Sequence, residues 1–329
     1  MHCELAVPGL FSVPAERRLP ALEMLLARAR GTAADCMTLA RWLLETFGHE
    51  EESVPAGALT LLACGKEPGG QLWTRADPVH LQLMRERLIL VPNAAFGITR
   101  EEADALCEAL NRHFPGVLAL QPVEAGRWCA QVSDASGIDA ACPLELAGRD
   151  IDLSAARGSA GWQAVLNEAQ MLLHAHPVNE AREARGEPVI NSLLLWGAGR
   201  VPAVTPGRWH GVLADQPIAI GLARLAGVRH LPLPASAPAW LERAPEDGRH
   251  LVVLEALRAP FALSEDAAYR AALDELERRW FAPLLEALRT GRIGMLSIHV
   301  PEAGLCFETM RGDLRRFWRR PKALERYAR

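Results

Sequence analysis

"HLVVLEALRAPFALSEDAAYRAALDELERRWFAPLLEALRTGRIGMLSIHV", residues 250–300 of a 329-residue chain, decides the fold. Its two ends, HLVVLEAL (250–257) and IGMLSIHV (293–300), are apolar almost throughout and read as strands. Between them, from 265 to 290, apolar residues recur at helical spacing. Continuously apolar strands separated by a helix predict a parallel sheet covered on both faces. The same alternation extends toward the amino terminus. NSLLLWG (191–197) reads as a strand, QPIAIGLARLAG (216–227) as a helix, and CELAVPGLF (3–11) as a first buried strand stopped by Pro8-Gly9. Helical periodicity also marks 20–30, 37–47 and 160–175.

A different pattern fills the middle. QLWTRADPVHLQL and RLILV read as strands, TREEADALCEALNRHF (99–114) as a helix capped by Thr99 with Glu102 at the reciprocal position, and RWCAQV as another strand. Strand, strand, helix, strand predicts a small α+β unit. The expected organisation is therefore an α/β core, 1–66 with 160–329, interrupted by an α+β insert at 67–159.

Composition narrows the function classes. Half the residues are apolar and 23% are charged, which supports a sizeable core, and no apolar run reaches the roughly 18 residues of a membrane span. Net charge is −4, so no global attraction for nucleic acid or acidic lipid is expected. The seven cysteines are scattered without a Cys-x-x-Cys pair, as reduced thiols of a cytoplasmic protein would be, and no export signal precedes the first strand. The eight basic residues from Arg311 to Arg329 surround Phe317 and Trp318. Such a mixture can grip a nucleic-acid strand, but the favoured expectation is a terminal helix docked by Leu314, Phe317 and Trp318.

The richest stretch for chemistry is LNEAQMLLHAHPVNEAREARGEPVINSLLLWGAGR (166–200). On a helix Asn167, Gln170 and His174 share one face, and such neutral hydrogen-bonding groups either line a polar cleft or knit two elements together. His174 and His176 flank a single residue, but a metal site needs further ligands and none lies nearby in a recognisable pattern. Arg182 and Arg185 alternate with acids. They read as a salt-bridged helix turn or as a fork for a phosphate or carboxylate. Gly197 and Gly199 in LLLWGAGR offer room for a ligand at a strand end, although no third glycine makes a dinucleotide fingerprint. Asp77 before Pro78 reads as the start of a turn, with His80 close by. The candidate ligand set is Asp77, His80, Asn167, Gln170, His174, His176, Asn179, Arg182, Arg185, Asn191, Trp196 and Arg200.

The 166–200 stretch, above all HPVNEAREARGEPVINSLLLWGAGR, resembles the archaeal-type 2,3-bisphosphoglycerate-independent phosphoglycerate mutases of the alkaline phosphatase superfamily. PIAIGLARLAG (217–227), AALDELERRWFAPLLEAL (271–288) and the opening strand with Pro8-Gly9-Leu10 are similar to the same family. With RADPVHL the chain looks closest to a bacterial branch, the RpfE-type regulatory proteins. The resemblance implies an alkaline phosphatase-like three-layer sandwich with a mostly parallel sheet and a smaller inserted α+β domain. It also implies a nucleophile and two divalent metals held by Asp and His. At the matching positions stand Pro8, then Arg258, Ala259, Pro260 and Phe261, then Ile298 and His299, so one imidazole survives.

The resulting expectation is a non-catalytic regulatory or small-anion-binding protein without metal or other cofactor. Its ligand would be a small phosphorylated or carboxylate molecule held between core and insert; nucleic acid and membrane are not expected as partners. The alternatives are a mutase or phosphatase with relocated ligands, and a nucleic-acid-associated protein using the arginine-rich end.

Overall fold

The computed structural model describes residues 1–84, 87–138, 141–147, 159–243 and 247–328. Among these, twelve strands run in chain order: β1 (His2–Ala6), β2 (Arg30–Ala33), β3 (Trp73–Met84), β4 (Arg87–Pro92), β5 (Leu118–Glu124), β6 (Arg127–Val132), β7 (Ser192–Gly199), β8 (Gly211–Leu213), β9 (Arg229–Leu231), β10 (Arg249–Val253), β11 (Met295–Val300) and β12 (Leu305–Met310). The chain divides into two compact units, 1–50 with 204–329, and 51–203.

The first unit is built on a seven-stranded sheet ordered β2-β12-β11-β1-β10-β8-β9. The five strands from β11 to β9 are parallel, and β12 and β2 add on antiparallel. This is the mixed α/β architecture with a large, mostly parallel sheet that the alternating pattern predicted. Cys3, Leu5, Val252, Leu254, Leu296 and Ile298 share one apolar core with residues of the helices Pro20–Arg28, Asp266–Leu276 and Ala282–Thr290. The opposite face differs. His2, Glu4, Arg249, Ser297 and His299 alternate with that apolar set in adjacent registers, which places polar groups where a sheet buried on both faces would carry aliphatics.

The helical run expected over 265–290 is interrupted by a π-helical segment, Glu277–Phe281. At its start the Glu277 carboxylate accepts the backbone N–H groups of Ala21 (2.6 Å) and Leu22 (3.0 Å), two donors left unsatisfied by the first turn of the helix Pro20–Arg28. That helix has no side-chain cap from Leu19, so the cap comes from elsewhere in the fold. Glu277→Ala is expected to lower stability by about 2 kcal/mol, the scale of a lost charged helix cap, read as a shift in the urea midpoint. An unchanged midpoint would mean that water caps the helix equally well.

The second unit holds an antiparallel sheet ordered β4-β3-β6-β5, with β7 pairing β3. Here the expected boundaries are corrected. The helices Ala56–Ala63, Ala160–His174 and Pro177–Ala184, and the strand β7, fall within 51–203 and not in the core. The reason is pairing: the apolar run of β7 lies beside Trp73 to Val79 of β3, and Trp162, Leu166, Ala169 and Leu173 share a core with Leu106, Leu110, Leu193 and Leu195. An apolar strand in a sequence does not say which sheet it joins.

Two further expectations change. Asp77-Pro78 does not begin a turn; it lies inside β3, opposite Leu194 and Leu193 of β7. The other edge of β3 changes partner between Arg75, paired with β6, and Val79, paired with β4, so a residue lacking an N–H is accommodated at Pro78. Near the carboxyl terminus a short 3-10 turn, Arg311–Arg315, replaces the expected docking helix. Phe317 and Trp318 stand 79% and 67% exposed, against each other in an edge-on contact, while Leu314 alone of the three packs on the core. Arg329 lies outside the described residues.

Candidate functional site

Most of the predicted ligand residues in the second unit have partners inside it. Asn179, almost wholly buried, donates from Nδ2 to the carbonyls of Leu173 and Ile190 and accepts the Ile190 N–H, all at 2.8 Å. Asn191 exchanges two hydrogen bonds with the backbone of Leu81. Gln170 donates to Ser192 Oγ (3.2 Å), and His80 meets the Val189 carbonyl through Nδ1 (2.9 Å). His176 caps the helix Pro177–Ala184, its Nδ1 accepting the Val178 N–H, and burial holds its pKa below the usual imidazole value. Asn167 and His174 lie on the exposed side of their helix. The polar stripe legible at 167–174 is thus spread over an outward face, and its inner member joins the helix to β7.

The arginines are equally committed. Arg182 is buried and uses all three nitrogens: Nε to the Pro188 carbonyl (2.8 Å), Nη1 to Glu102 Oε2 (2.7 Å), and Nη2 to the Gly97 carbonyl (2.9 Å), with Phe96 under its plane. Arg185 pairs with Glu102 and Glu187. Arg200 donates to the Gly70 carbonyl. Asp77 is buried between the Arg75 guanidinium and the Trp196 indole N–H, which it accepts at 2.7 Å. The glycines of LLLWGAGR serve packing. A Cβ at Gly197 would stand 2.5 Å from Ala56 Cβ, and one at Gly199 2.6 Å from Pro55 Cβ, so the room expected for a ligand is filled by the 54–56 segment.

In the first unit the carboxyl ends of the parallel strands are where an open α/β sheet places its site. β10 ends at Val253, four residues earlier than the apolar run HLVVLEAL implied, so Leu254 and Glu255 form its tip in place of Arg258. Acids also follow β8 (Asp215) and β11 (Glu302). Each has its own neighbour. Asp215 accepts the Leu233 N–H (3.0 Å), Glu255 pairs with Arg258 (2.7 Å), and Glu302 accepts the Gly9 N–H (3.4 Å). Among the described residues no three His, Cys, Asp or Glu side chains converge as a metal cage would require.

Sequence reasoning missed a charged cluster on the polar face of the same sheet. Glu4, 2% exposed, meets His299 Nε2 (3.2 Å), Arg249 Nε (2.5 Å), Arg208 (3.6 Å) and His2 (3.8 Å). Trp42 lies against the His299 ring. The signal was present as a period of two: His2 and Glu4 in HCELA, Ser297 and His299 in MLSIHV. Burial by itself would raise the Glu4 pKa. The hydrogen bond from His299 and the charges of His299, Arg249 and His2 outweigh it and hold the carboxyl below its ordinary range.

Cys306 Sγ is 3.9 Å from His299, but through the same Nε2 that meets Glu4, whereas a nucleophile–base–acid relay needs the two ring nitrogens to face opposite partners. Burial and Glu308 push the thiol up to about 12, so it stays protonated at neutral pH. The cluster is therefore a buried ion network and not a cysteine nucleophile.

A carboxylate whose folded pKa is depressed contributes stability that is complete above its unfolded value of 4.5 and is lost as pH falls through the folded one. Glu4→Gln is expected to lower the urea midpoint at neutral pH and to flatten its decline on acidification below about pH 5. Parallel acid limbs in the two proteins would remove Glu4 from this account.

Comparison with known proteins adds the following. No family model matches the chain. A segment of 116 residues, 34% of this chain, is 29% identical to the 2,3-bisphosphoglycerate-independent phosphoglycerate mutase of Methanosarcina barkeri and spans 29% of that protein's length. Among solved structures, the PH0037 protein from Pyrococcus horikoshii superposes with a TM-score of 0.56 at 16% identity, over 94% of this chain and 87% of that one. The fold is shared with PH0037, and a third of the chain is mutase-like in sequence. The cofactor-independent phosphoglycerate mutase from Thermoplasma acidophilum gives a TM-score of 0.46 at 18% identity, over 95% of this chain and 90% of its own.

Proposed function

We propose that this chain is a non-catalytic relative of the cofactor-independent phosphoglycerate mutases, a regulatory protein that binds a small anion without transferring phosphate. The observation that carries this reading is the dispersal of the acids at the strand tips. Asp215, Glu255 and Glu302 each hold a different partner, and among the described residues no metal-ligating trio forms. Two-metal phosphoryl transfer needs convergent anionic and imidazole ligands to hold two ions a few ångströms apart and to generate a nucleophile. A placement within the RpfE-type regulatory branch is part of the proposal. So is a cytoplasmic setting, which the seven free thiols support. No helix among the described residues is long and apolar enough to cross a membrane.

The candidate ligand residues enter this reading unequally. Arg182 and Arg185 border a groove of about 740 Å³ with Phe96, Thr99 and Pro188, yet Glu102 and Glu187 already neutralise both, so an incoming anion would have to displace a carboxylate. The test is metal analysis of the purified protein beside a phosphoglycerate mutase assay with and without manganese. No stoichiometric metal and no turnover above background are expected. Manganese-dependent interconversion of 3- and 2-phosphoglycerate would overturn the proposal and make the relocated-ligand alternative the better account.

A further inference from the structure

A cavity of about 520 Å³ opens on the apolar face of the large sheet at its β9 edge. Its floor is Gly211 and Leu213 of β8, Leu231 of β9 and His250 of β10. Pro232, Leu233, Pro234 and Trp240 wall it, and Arg229 and Arg243 stand at its rim. The cavity touches the strand tips only at the Leu233 N–H, which Asp215 accepts, and at Leu213 and Leu231, the last residues of β8 and β9; Glu255, Glu302 and the Glu4 cluster do not line it.

Three observations bear on what it holds. The floor and walls are largely aliphatic and aromatic, and Leu231 remains 36% exposed inside a unit that otherwise buries its leucines well. The two arginines are exposed, and among the described residues neither is paired with a carboxylate. They are thus unlike Arg182 and Arg185, whose charges are spent. Finally, His250 is 4% exposed, edge-on to Trp240, and burial above all keeps its pKa below the usual imidazole value, so the floor is neutral while the rim is cationic. A pocket of this size with an apolar body and a small number of polar groups is the common form of a small-molecule site.

We infer that this cavity binds a small amphipathic anion, with an aromatic or branched apolar body seated on Leu213, Leu231 and Trp240 and one carboxylate or phosphate head held by Arg229 and Arg243. The charge complementarity decides the class. A neutral apolar ligand leaves two arginines without a counter-charge, and a fully polar anion leaves the apolar floor wet. The inference goes beyond the anion-binding reading above and stands whether or not the strand tips are catalytic.

The experiment uses two fluorescent probes with the same kind of aromatic body. One is 8-anilinonaphthalene-1-sulfonate, an anion; the other is N-phenyl-1-naphthylamine, which is neutral. The full chain is expected to bind the sulfonate saturably at one site. Arg229→Gln with Arg243→Gln is expected to weaken it by about tenfold or more, the worth of a charged hydrogen-bonded contact, while leaving the neutral probe unchanged. Ala239 also lines the cavity, and Ala239→Trp, which fills it, is expected to abolish binding of both probes. Phenylacetate and phenyl phosphate, used as competitors, tell a carboxylate head from a phosphate head. The inference is overturned if the wild-type chain shows no saturable binding, if the glutamine variant binds the sulfonate as tightly as the wild type, if both probes weaken together, or if neither competitor displaces the sulfonate. The two arginines are exposed, so the glutamine variant decides the matter even if the tryptophan variant does not fold.

Discussion

Arg182→Ala is expected to destabilise the protein by about 3–5 kcal/mol, because it leaves a mostly buried Glu102 carboxylate without its main counter-charge and removes the donors used by the Gly97 and Pro188 carbonyls. It would also empty the space over Phe96. The measurement is the urea-unfolding free energy of the full chain, with Arg182→Met as a control that restores most of the volume. If the charge and hydrogen bonds dominate, the methionine variant falls nearly as far as alanine. Adding Glu102→Gln to the methionine variant then recovers part of the loss, since an unpaired buried charge is costlier than none. A loss below about 1 kcal/mol would mean that the guanidinium is held loosely enough to serve an outside anion, and would return Arg182 to the list of ligand residues.

Asp77→Ala should cost a similar amount, about 3–5 kcal/mol, for the mirror-image reason. It strands the Arg75 guanidinium, 7% exposed, with Thr60 Oγ1 at 3.3 Å as its remaining side-chain hydrogen-bond partner. It also takes away the acceptor for the Trp196 indole N–H. Asp77→Asn keeps an acceptor for the indole while losing the charge, so it is expected to fall between wild type and alanine. The pairing with Trp196 gives a second readout: the emission of that indole should change in the alanine variant while the protein remains folded. If alanine and asparagine are equally mild, Arg75 is reached by solvent and Asp77 returns to the candidate ligand set.

Both predictions concern residues whose types point to ligand chemistry in the sequence and whose structural partners are other parts of the same unit. Arg182, Asn179 and Asn191 show why the two roles look alike. A side chain that recognises a carboxylate, or a backbone edge, on a ligand recognises the same group when the fold supplies it. Glu102 illustrates the reuse. As the reciprocal member of a capping box it accepts the Thr99 N–H at 3.0 Å, which local spacing reveals. The same carboxylate also receives Arg182 and Arg185 from about 80 residues away, which spacing cannot reveal.

The polar face of the large sheet lies between these extremes. The alternation of His2 and Glu4, and of Ser297 and His299, is visible in the chain, yet its meaning depends on β1 and β11 lying side by side with Glu4 opposite Ser297.

By itself the sequence determined many of the element types, the helix cap at Thr99, the parallel α/β character of the long strand–helix–strand stretch, and the existence of a second unit of strands and helices. These follow from interactions within a few residues: periodic burial, proline and glycine geometry, and hydrogen bonds to neighbouring backbone. Only the tertiary structure decided that β7 joins β3 and not the parallel sheet, that Glu277 caps a helix more than 250 residues distant, that Pro78 sits inside a strand, and that Arg182 is buried against Glu102 while Arg229 and Arg243 are exposed. Each of those outcomes rests on which segments meet in space. Burial and charge pairing are properties of that meeting, so the same residue type is solvated, structural or open to a ligand according to what the fold brings against it.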